Sequence, residues 1–460
     1  MIFGRSVFFP FLYFIQFIAS ITAFIPQSNQ ITLKHSQSAN SFTQSTLKRY
    51  HIVNNQILLR ETRQTHASSS ESSNYTQSTF TPTNSSMVNL RGTIHAPITR
   101  SFRVRPRFHN ENDKYASPPI NPTTLLSSKY LETNVNKLLE WFQQIPSNNI
   151  VCITGAGLST ESGIPDYRGH DGSYQKGHKP MIHDEFMRFE SSRQRYWGRS
   201  MAGYQYFQTR KPNIGHYSLT KLEKMNKIGV KYNNNVGSLS IITQNVDALH
   251  SESGTKHVLE LHGRGKRLVC MNCGSHHSRH DFHQDLIQLN QEWIQQNIPQ
   301  VITNSSTNTE ARPDGDASLS SETDYGPIQI PPCNTCDDGF YKPDVVFFGD
   351  NVPKDDVNVC YSAIDAADGL LCIGTSLEVH SAYRFVKAAA KRKIPIGILN
   401  VGETRAEREN DLFQIECEGQ DRVTSLLTKI ESPVGKTLEL CVERMLEMEN
   451  NDNLTSTPPQ

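Results

Sequence analysis

Apolar residues at Val135, Leu138, Leu139 and Phe142 share one face at helical spacing, so the chain opens its ordered part, near Leu125, with an amphipathic helix over 134–142. The period then changes. Asn149 to Thr154 is a near-continuous apolar run that stops at Gly155, and short runs of the same kind occupy 239–243, 345–348, 369–373 and 396–401. Helical patterns such as 381–391 lie between most of them. Strands that are apolar on both faces and alternate with helices predict an α/β domain built on a Rossmann-like, doubly wound parallel sheet, whose ligands lie at the carboxyl ends of the strands. Between His262 and Lys342 the pattern breaks. Phe282, Leu286, Leu289 and Trp293 make one helical stripe, and Pro299 to Pro332 is polar around Arg312-Pro313-Asp314-Gly315-Asp316. Residues 263–341 therefore read as a small module inserted into a sheet domain spanning 125–447, with a disordered tail over 448–460.

The first 124 residues read differently. Val7 to Ile25 is almost wholly apolar behind Arg5, like the core of a secretory signal, and is followed by a Ser/Thr/Gln/Asn-rich, acid-free stretch to Arg60. Residues 1–60 are expected to be a cleavable targeting leader, with a join at Ala19 to Pro26 that resembles the signal-plus-transit leader of proteins sent to complex plastids. A start at Met87 would instead expose Arg91, Arg100, Arg103, Arg105 and Arg107 ahead of Glu111, as in a mitochondrial presequence. The mitochondrial matrix is the expected destination and the plastid stroma the alternative. A signal anchor is the third reading, since nineteen residues nearly span a bilayer. Residues 61–124, rich in Ser, Thr, Asn and Pro, read as disordered linker.

Charge narrows the function classes. Lys+Arg and Asp+Glu number 46 each, yet five basic residues precede the first acid, Glu61, so the rest of the chain is net acidic and carries no footprint for nucleic acid. The nine cysteines divide into two Cys-x-x-Cys pairs and five isolated thiols, Cys152, Cys360, Cys372, Cys417 and Cys441, which suits a metal site in a reducing compartment better than a disulfide framework.

The strongest chemical signal is Cys270-x-x-Cys273 with Cys333-x-x-Cys336: four sulfurs in two knuckles, the donor set of a closed, structural zinc site. Two independent redox pairs are the alternative. The second signal is the run Gly155-Ala156-Gly157-Leu158-Ser159-Thr160-Glu161-Ser162-Gly163-Ile164-Pro165-Asp166-Tyr167-Arg168 directly after a strand. Glycines there would let backbone approach a pyrophosphate, with a helix N-terminus behind them. Thr160 stands where the dehydrogenase fingerprint has Gly or Ala, and no acid closes a second strand at the right distance, so hydride transfer is the poorer reading. Third come Gln244, Asn245 and Asp247 at another strand end, and His262 shortly after. Amides and a carboxylate suit ribose hydroxyls and a carboxamide, and a neutral imidazole can take a hydroxyl proton. Each alone has an ordinary explanation, a helix cap or a structural histidine.

Together with Lys342-Pro343-Asp344-Val345-Val346-Phe347-Phe348-Gly349-Asp350, Gly374-Thr375-Ser376-Leu377 and Asn400-Val401-Gly402, these motifs stand in the order found in the sirtuin family, which the chain resembles over about Leu125 to Glu447. Tyr167, the Arg-Pro-Asp-Gly-Asp insert, Phe348 with Asp350, and Ser381-Ala382-Tyr383-Arg384-Phe385 resemble its class II branch. The resemblance implies an NAD-consuming protein-lysine deacylase. NAD would lie with its pyrophosphate on Gly155, Ala156 and Gly157, with Ser159 and Ser376 nearby. The adenosine half would meet Gly374, Thr375, Asn400, Val401 and Gly402. Gln244, Asn245, Asp247 and Asp166 would surround the nicotinamide ribose, with Tyr167 and Arg168 in the same loop and Arg168 near the phosphates. His262 would be the catalytic base, with Asn245 and Asp247 as catalytic partners. The acyl oxygen would attack the ribose carbon as nicotinamide leaves, giving free lysine and O-acyl-ADP-ribose.

The same resemblance implies acyl-lysine proteins, organellar metabolic enzymes among them, as substrates that add as a strand against Val345, Val346 and Phe348 on one side and Glu378 on the other. A monomer is expected, touching membrane only through the leader. Succinyl-selective relatives carry Tyr-x-x-Arg at positions that fall here on Ser200 and Gly203, which disfavours short acidic acyl groups, although Tyr196 and Arg199 stand four residues earlier. Mono-ADP-ribosyl transfer and a weakly catalytic NAD-binding regulator are the alternative functions.

Overall fold

A computed structural model describes residues 50–53, 56–59, 127–234, 236–298, 311–416 and 423–455. The chain divides into two units at Ile98/Thr99. In the first, the described residues form a short antiparallel hairpin, Tyr50–Val53 with Gln56–Leu59, at the end of the expected leader. The rest of the expected leader and the linker lie outside the described residues.

The strands that build the two larger sheets of the second unit are, in chain order, β1 (Ile150–Thr154), β2 (Ile241–Thr243), β3 (Val258–Glu260), β4 (Gly263–Cys270), β5 (His276–Ser278), β6 (Tyr341–Val345), β7 (Gly369–Ile373), β8 (Ile396–Leu399) and β9 (Leu427–Ile430), with two short hairpins, Val230–Tyr232 with Gly237–Leu239 and Gln414–Glu416 with Val423–Ser425, beside them. Six of them form one wholly parallel sheet in the order β9-β8-β7-β1-β2-β3. β1 and β7 read as unbroken apolar runs because both faces are covered. Val151 and Ile153 enter one core with Leu370 and Cys372, while Ile150 and Cys152 enter the other with Leu371 and Ile373. Each fully buried Ile, Leu or Val contributes about 1.5–3 kcal/mol. The chain winds from β1 outward to β3, then returns to β7 and winds the other way, so the order reverses between β1 and β7, where such sheets place their ligands.

The flanking helices are α1 (Ser128–Gln143), α2 (Glu190–Gln208), α3 (Ile214–Lys224), α4 (Lys354–Ala366), α5 (His380–Lys391) and α6 (Val434–Thr455). α1, α3 and α6 cover one face, α4 and α5 the other. α6 runs on to Thr455, past residue 447 where the sheet domain was expected to end.

The inserted module carries the second sheet, antiparallel, in the order β6-β4-β5. Two expectations are corrected here. The run 345–348 is not a strand of the parallel sheet: β6 starts earlier, ends at Val345 and lies at the edge of the small sheet, where Pro343 can sit without a backbone donor and the register slips beside it. The apolar stripe from Phe282 to Trp293 is not one helix but two, Arg279–Leu289 and Gln291–Asn297. Asn290 breaks it by leaving helical geometry and tying its side chain to the Leu286 and Gln329 carbonyls and the Gln329 N–H. A third apolar cluster joins this module to α2 through Trp197, Phe282, Trp293 and Tyr341.

Candidate active site

The turns after β1 and β7 touch backbone to backbone. Gly155 N–H donates to the Ile373 carbonyl at 3.1 Å, and Gly157 N–H to the Gly374 carbonyl at 2.9 Å. A Cβ on Gly157 would sit 2.8 Å from the Gly374 oxygen, and one on Gly155 2.7 Å from Thr375 Cβ. The glycines are thus required by contact between two protein turns, and both N–H groups are spent inside the protein. Two 3-10 turns, Ala156–Leu158 and Thr160–Ser162, follow in place of the expected helix. Gly163 in the left-handed region and Pro165 behind it stop any extension.

A web of buried polar groups closes over the same strand ends. Gln244, just past β2, donates through Nε2 to Thr375 Oγ1 at 2.9 Å. Asn245 Nδ2 donates to the Gly155 carbonyl at 3.1 Å and to Ser159 Oγ at 3.2 Å, and Ser159 Oγ–H donates to Asp247 Oδ2 at 2.7 Å. The other Asp247 oxygen accepts from Leu249 N–H at 3.0 Å. Loss of hydration raises the Asp247 pKa, and these two bonds oppose the rise.

His262 stands one residue past Leu261, whose N–H bonds the last carbonyl of β2. Its Nδ1 is 3.0 Å from the Gln244 carbonyl, which can only accept, so Nδ1 carries the proton. Nε2 therefore presents its lone pair, and Ser381 Oγ lies 2.7 Å from it. Burial pushes the imidazole pKa down to about 4, with the Arg384 charge adding to the effect and the Gln244 bond opposing it. A neutral imidazole in one tautomer is a group ready to accept a proton.

Gly155, Ser159, Gln244, Asn245, Asp247, His262, Gly374 and Thr375 are thus joined by contacts. Other predicted residues keep to their own turns. Asp166 caps Gly169 N–H at 2.9 Å, Tyr167 meets Tyr174 at 5.4 Å between rings, and Arg168 lies over Tyr174 at 5.1 Å. Asn400 follows β8 and bonds the Val401 and Gly402 carbonyls. The Ser376 carbonyl accepts from Arg405 N–H. On the expected peptide edge, Val345 pairs with Gly263, and Val346 N–H donates to the His262 carbonyl at 2.8 Å, which ties that segment to the imidazole's backbone. The Phe348 carbonyl is taken by His183 N–H at 2.9 Å, and Glu378 is ion-paired with Arg408.

The four knuckle sulfurs lie within 4.8 Å of one another, and the closest pairs, Cys270–Cys336 and Cys273–Cys333, are each 3.8 Å apart. Four sulfurs at the usual zinc distance of about 2.3 Å stand about 3.8 Å apart. The two knuckles bring all four sulfurs to one point, each closest pair crossing from one knuckle to the other, so two independent redox pairs do not describe this cluster. One zinc ion fits, held by all four thiolates with no position left for chemistry. Cys152, Cys360, Cys372 and Cys441 are buried free thiols, and Cys417 lies outside the described residues.

The Sir2 family model matches residues 155–381. NAD-dependent protein deacetylase 2 of Bradyrhizobium diazoefficiens is 40% identical over 266 residues, 58% of this chain and 88% of that protein. The human NAD-dependent protein lipoamidase sirtuin-4, mitochondrial, is 38% identical over 64% of this chain and 82% of its own. The chain belongs to the Sir2 family. The Arabidopsis thaliana NAD-dependent protein deacylase SRT2 is 38% identical over 66% of this sirtuin and 77% of its own length.

Two residues of this sirtuin stood in its motifs with no role assigned to them. Ser381 was legible only as part of a class motif, since nothing in the spacing brings residue 381 to residue 262. Lys342 is buried with its ammonium 3.4 Å from Asp350, 4.6 Å above the Phe347 ring and bonded to the Val345 carbonyl, bracing the loop that precedes α4. The Tyr196 ring is buried against Phe186, Trp197 and Phe347, and Arg199 faces Asp316 at 3.4 Å.

Proposed function

We propose that this sirtuin is an NAD-dependent protein-lysine deacylase whose catalytic base is His262. The observation that carries the reading is the imidazole fixed by the Gln244 carbonyl in its neutral, Nε2-accepting tautomer, at the same strand ends as Asn245, Asp247 and the glycine turns. NAD would be held as co-substrate at the β1/β7 reversal, among Gln244, Asn245, Gly374 and Thr375, and would supply an activated ribose carbon as acyl acceptor. The chain's own contribution is a wall of pre-bonded polar groups, a backbone pinched free of side chains at Gly155, Gly157 and Gly374, and an uncharged base.

The names of the relatives span deacetylase, deacylase and lipoamidase, so the acyl group is the quantity in which such proteins differ. Arg199 already answers Asp316, and Tyr196 lies in an aromatic cluster, which favours uncharged acyl groups over short acidic ones. An organelle is the place of action that the leader and the mitochondrial relative favour, with the matrix first.

The test is a panel of acetyl-, branched-, long-chain, lipoyl- and succinyl-lysine peptides incubated with NAD, read as formation of the free lysine peptide and O-acyl-ADP-ribose. At least one uncharged acyl peptide should support turnover, and His262→Tyr should abolish it. Turnover that survives that substitution would refute the assignment of the base.

A further inference from the structure

We infer that Ser381 is a positioning residue for His262: its hydroxyl holds the imidazole at Nε2 and releases that nitrogen by rotating about its own Cα–Cβ bond when a ribose hydroxyl arrives. The inference rests on the reading of His262 as base. Three observations carry it.

The first is the contact itself. Ser381 Oγ is 2.7 Å from Nε2, while Nδ1 is 3.0 Å from the Gln244 carbonyl, so the ring is held at both nitrogens by groups 18 residues before it and 119 after it in the chain. A carbonyl fixes the tautomer, and a hydroxyl then fixes the ring plane. The second is the rigidity of the platform. Ser381 is the second residue of α5, and the next residues on that helix, Ala382, Tyr383 and Phe385, are fully buried. The backbone cannot slide, so the hydroxyl is delivered to one place, and only its rotamer can change. The third is the nature of the donor. A serine hydroxyl donates to the lone pair of a neutral imidazole and carries no charge, so it occupies the base without protonating it. Arg384, whose Nε donates to the Ser381 carbonyl at 3.1 Å, is the charged group acting on the ring and opposes its protonation.

A ring released from this contact keeps its tautomer through Gln244 but gains freedom to swing. Steps that need the base then slow, while steps that precede it do not. Departure of nicotinamide comes before the base acts, and product formation comes after. Ser381→Ala is therefore expected to lower O-acyl-ADP-ribose formation about three- to tenfold, the worth of one hydrogen bond. Exchange of labelled nicotinamide into NAD should stay at the parent rate, as should KM for the peptide. Ser381→Thr, which keeps the hydroxyl, should restore product formation.

Both reactions are measured on the parent chain, Ser381→Ala, Ser381→Thr and His262→Ala. Equal loss of exchange and product formation in Ser381→Ala marks a merely structural role and overturns the inference, as does product formation at the parent rate. Product formation persisting in His262→Ala is a separate result, which overturns the base assignment beneath it.

Discussion

At the scale of single residues the site depends on hydrogen bonds made before any ligand arrives. His262 is held neutral, with its pKa near 4 because burial and Arg384 disfavour the cation. With His262 as the proposed base, activity is lost only on its protonation, so kcat/KM should stay level as pH falls through the ordinary histidine range near 6.5 and decline only toward about 4. A pH–rate profile with its acid limb centred near 6.5 would contradict this. Ser159 is the second point of leverage. It is 1% exposed, receives a bond from Asn245 and gives one to Asp247. Ser159→Ala strands a buried carboxylate oxygen and should cost about 1–3 kcal/mol in urea unfolding, together with most of the turnover.

At the scale of elements, close backbone contacts decide which parts can seat together. α2 meets the insert at Gly203, where an added Cβ would lie 2.4 Å from the Asp316 backbone carbon. Gly203→Ala must push the helix from the Arg-Pro-Asp-Gly-Asp stretch and should lower stability by about 1–3 kcal/mol, read as a fall in thermal midpoint. This contact joins segments more than a hundred residues apart, and no periodicity announces it. What was legible follows the same logic. β1 and β7 are buried on both faces, so their apolar runs stand out, and β7 matches its expected span over 369–373. β3 and β9 lie at the two edges of the sheet, are three and four residues long, carry polar positions, and left no signal. The knuckle cysteines, Gln244, Asn245, Asp247 and His262 were legible because their residue types imply chemistry. The partner of His262 Nε2 was not, because a serine announces nothing until the fold brings it there.

For the whole molecule, the two cores and the metal module divide the work. Trp141 belongs to the sheet's core, whereas Trp197 and Trp293 belong to the cluster against the four cysteines. Removal of one zinc equivalent by a chelator should therefore alter tryptophan emission strongly while the far-ultraviolet dichroism of the sheet and its helices persists; dichroism collapsing together with emission would show that the sheet depends on the metal. The proposed reaction is tested most directly by following both products on one acyl-lysine peptide by mass spectrometry. It predicts one nicotinamide for each lysine freed, with the acyl group recovered on ADP-ribose and no turnover without NAD. Recovery of free acid with NAD left intact would contradict it.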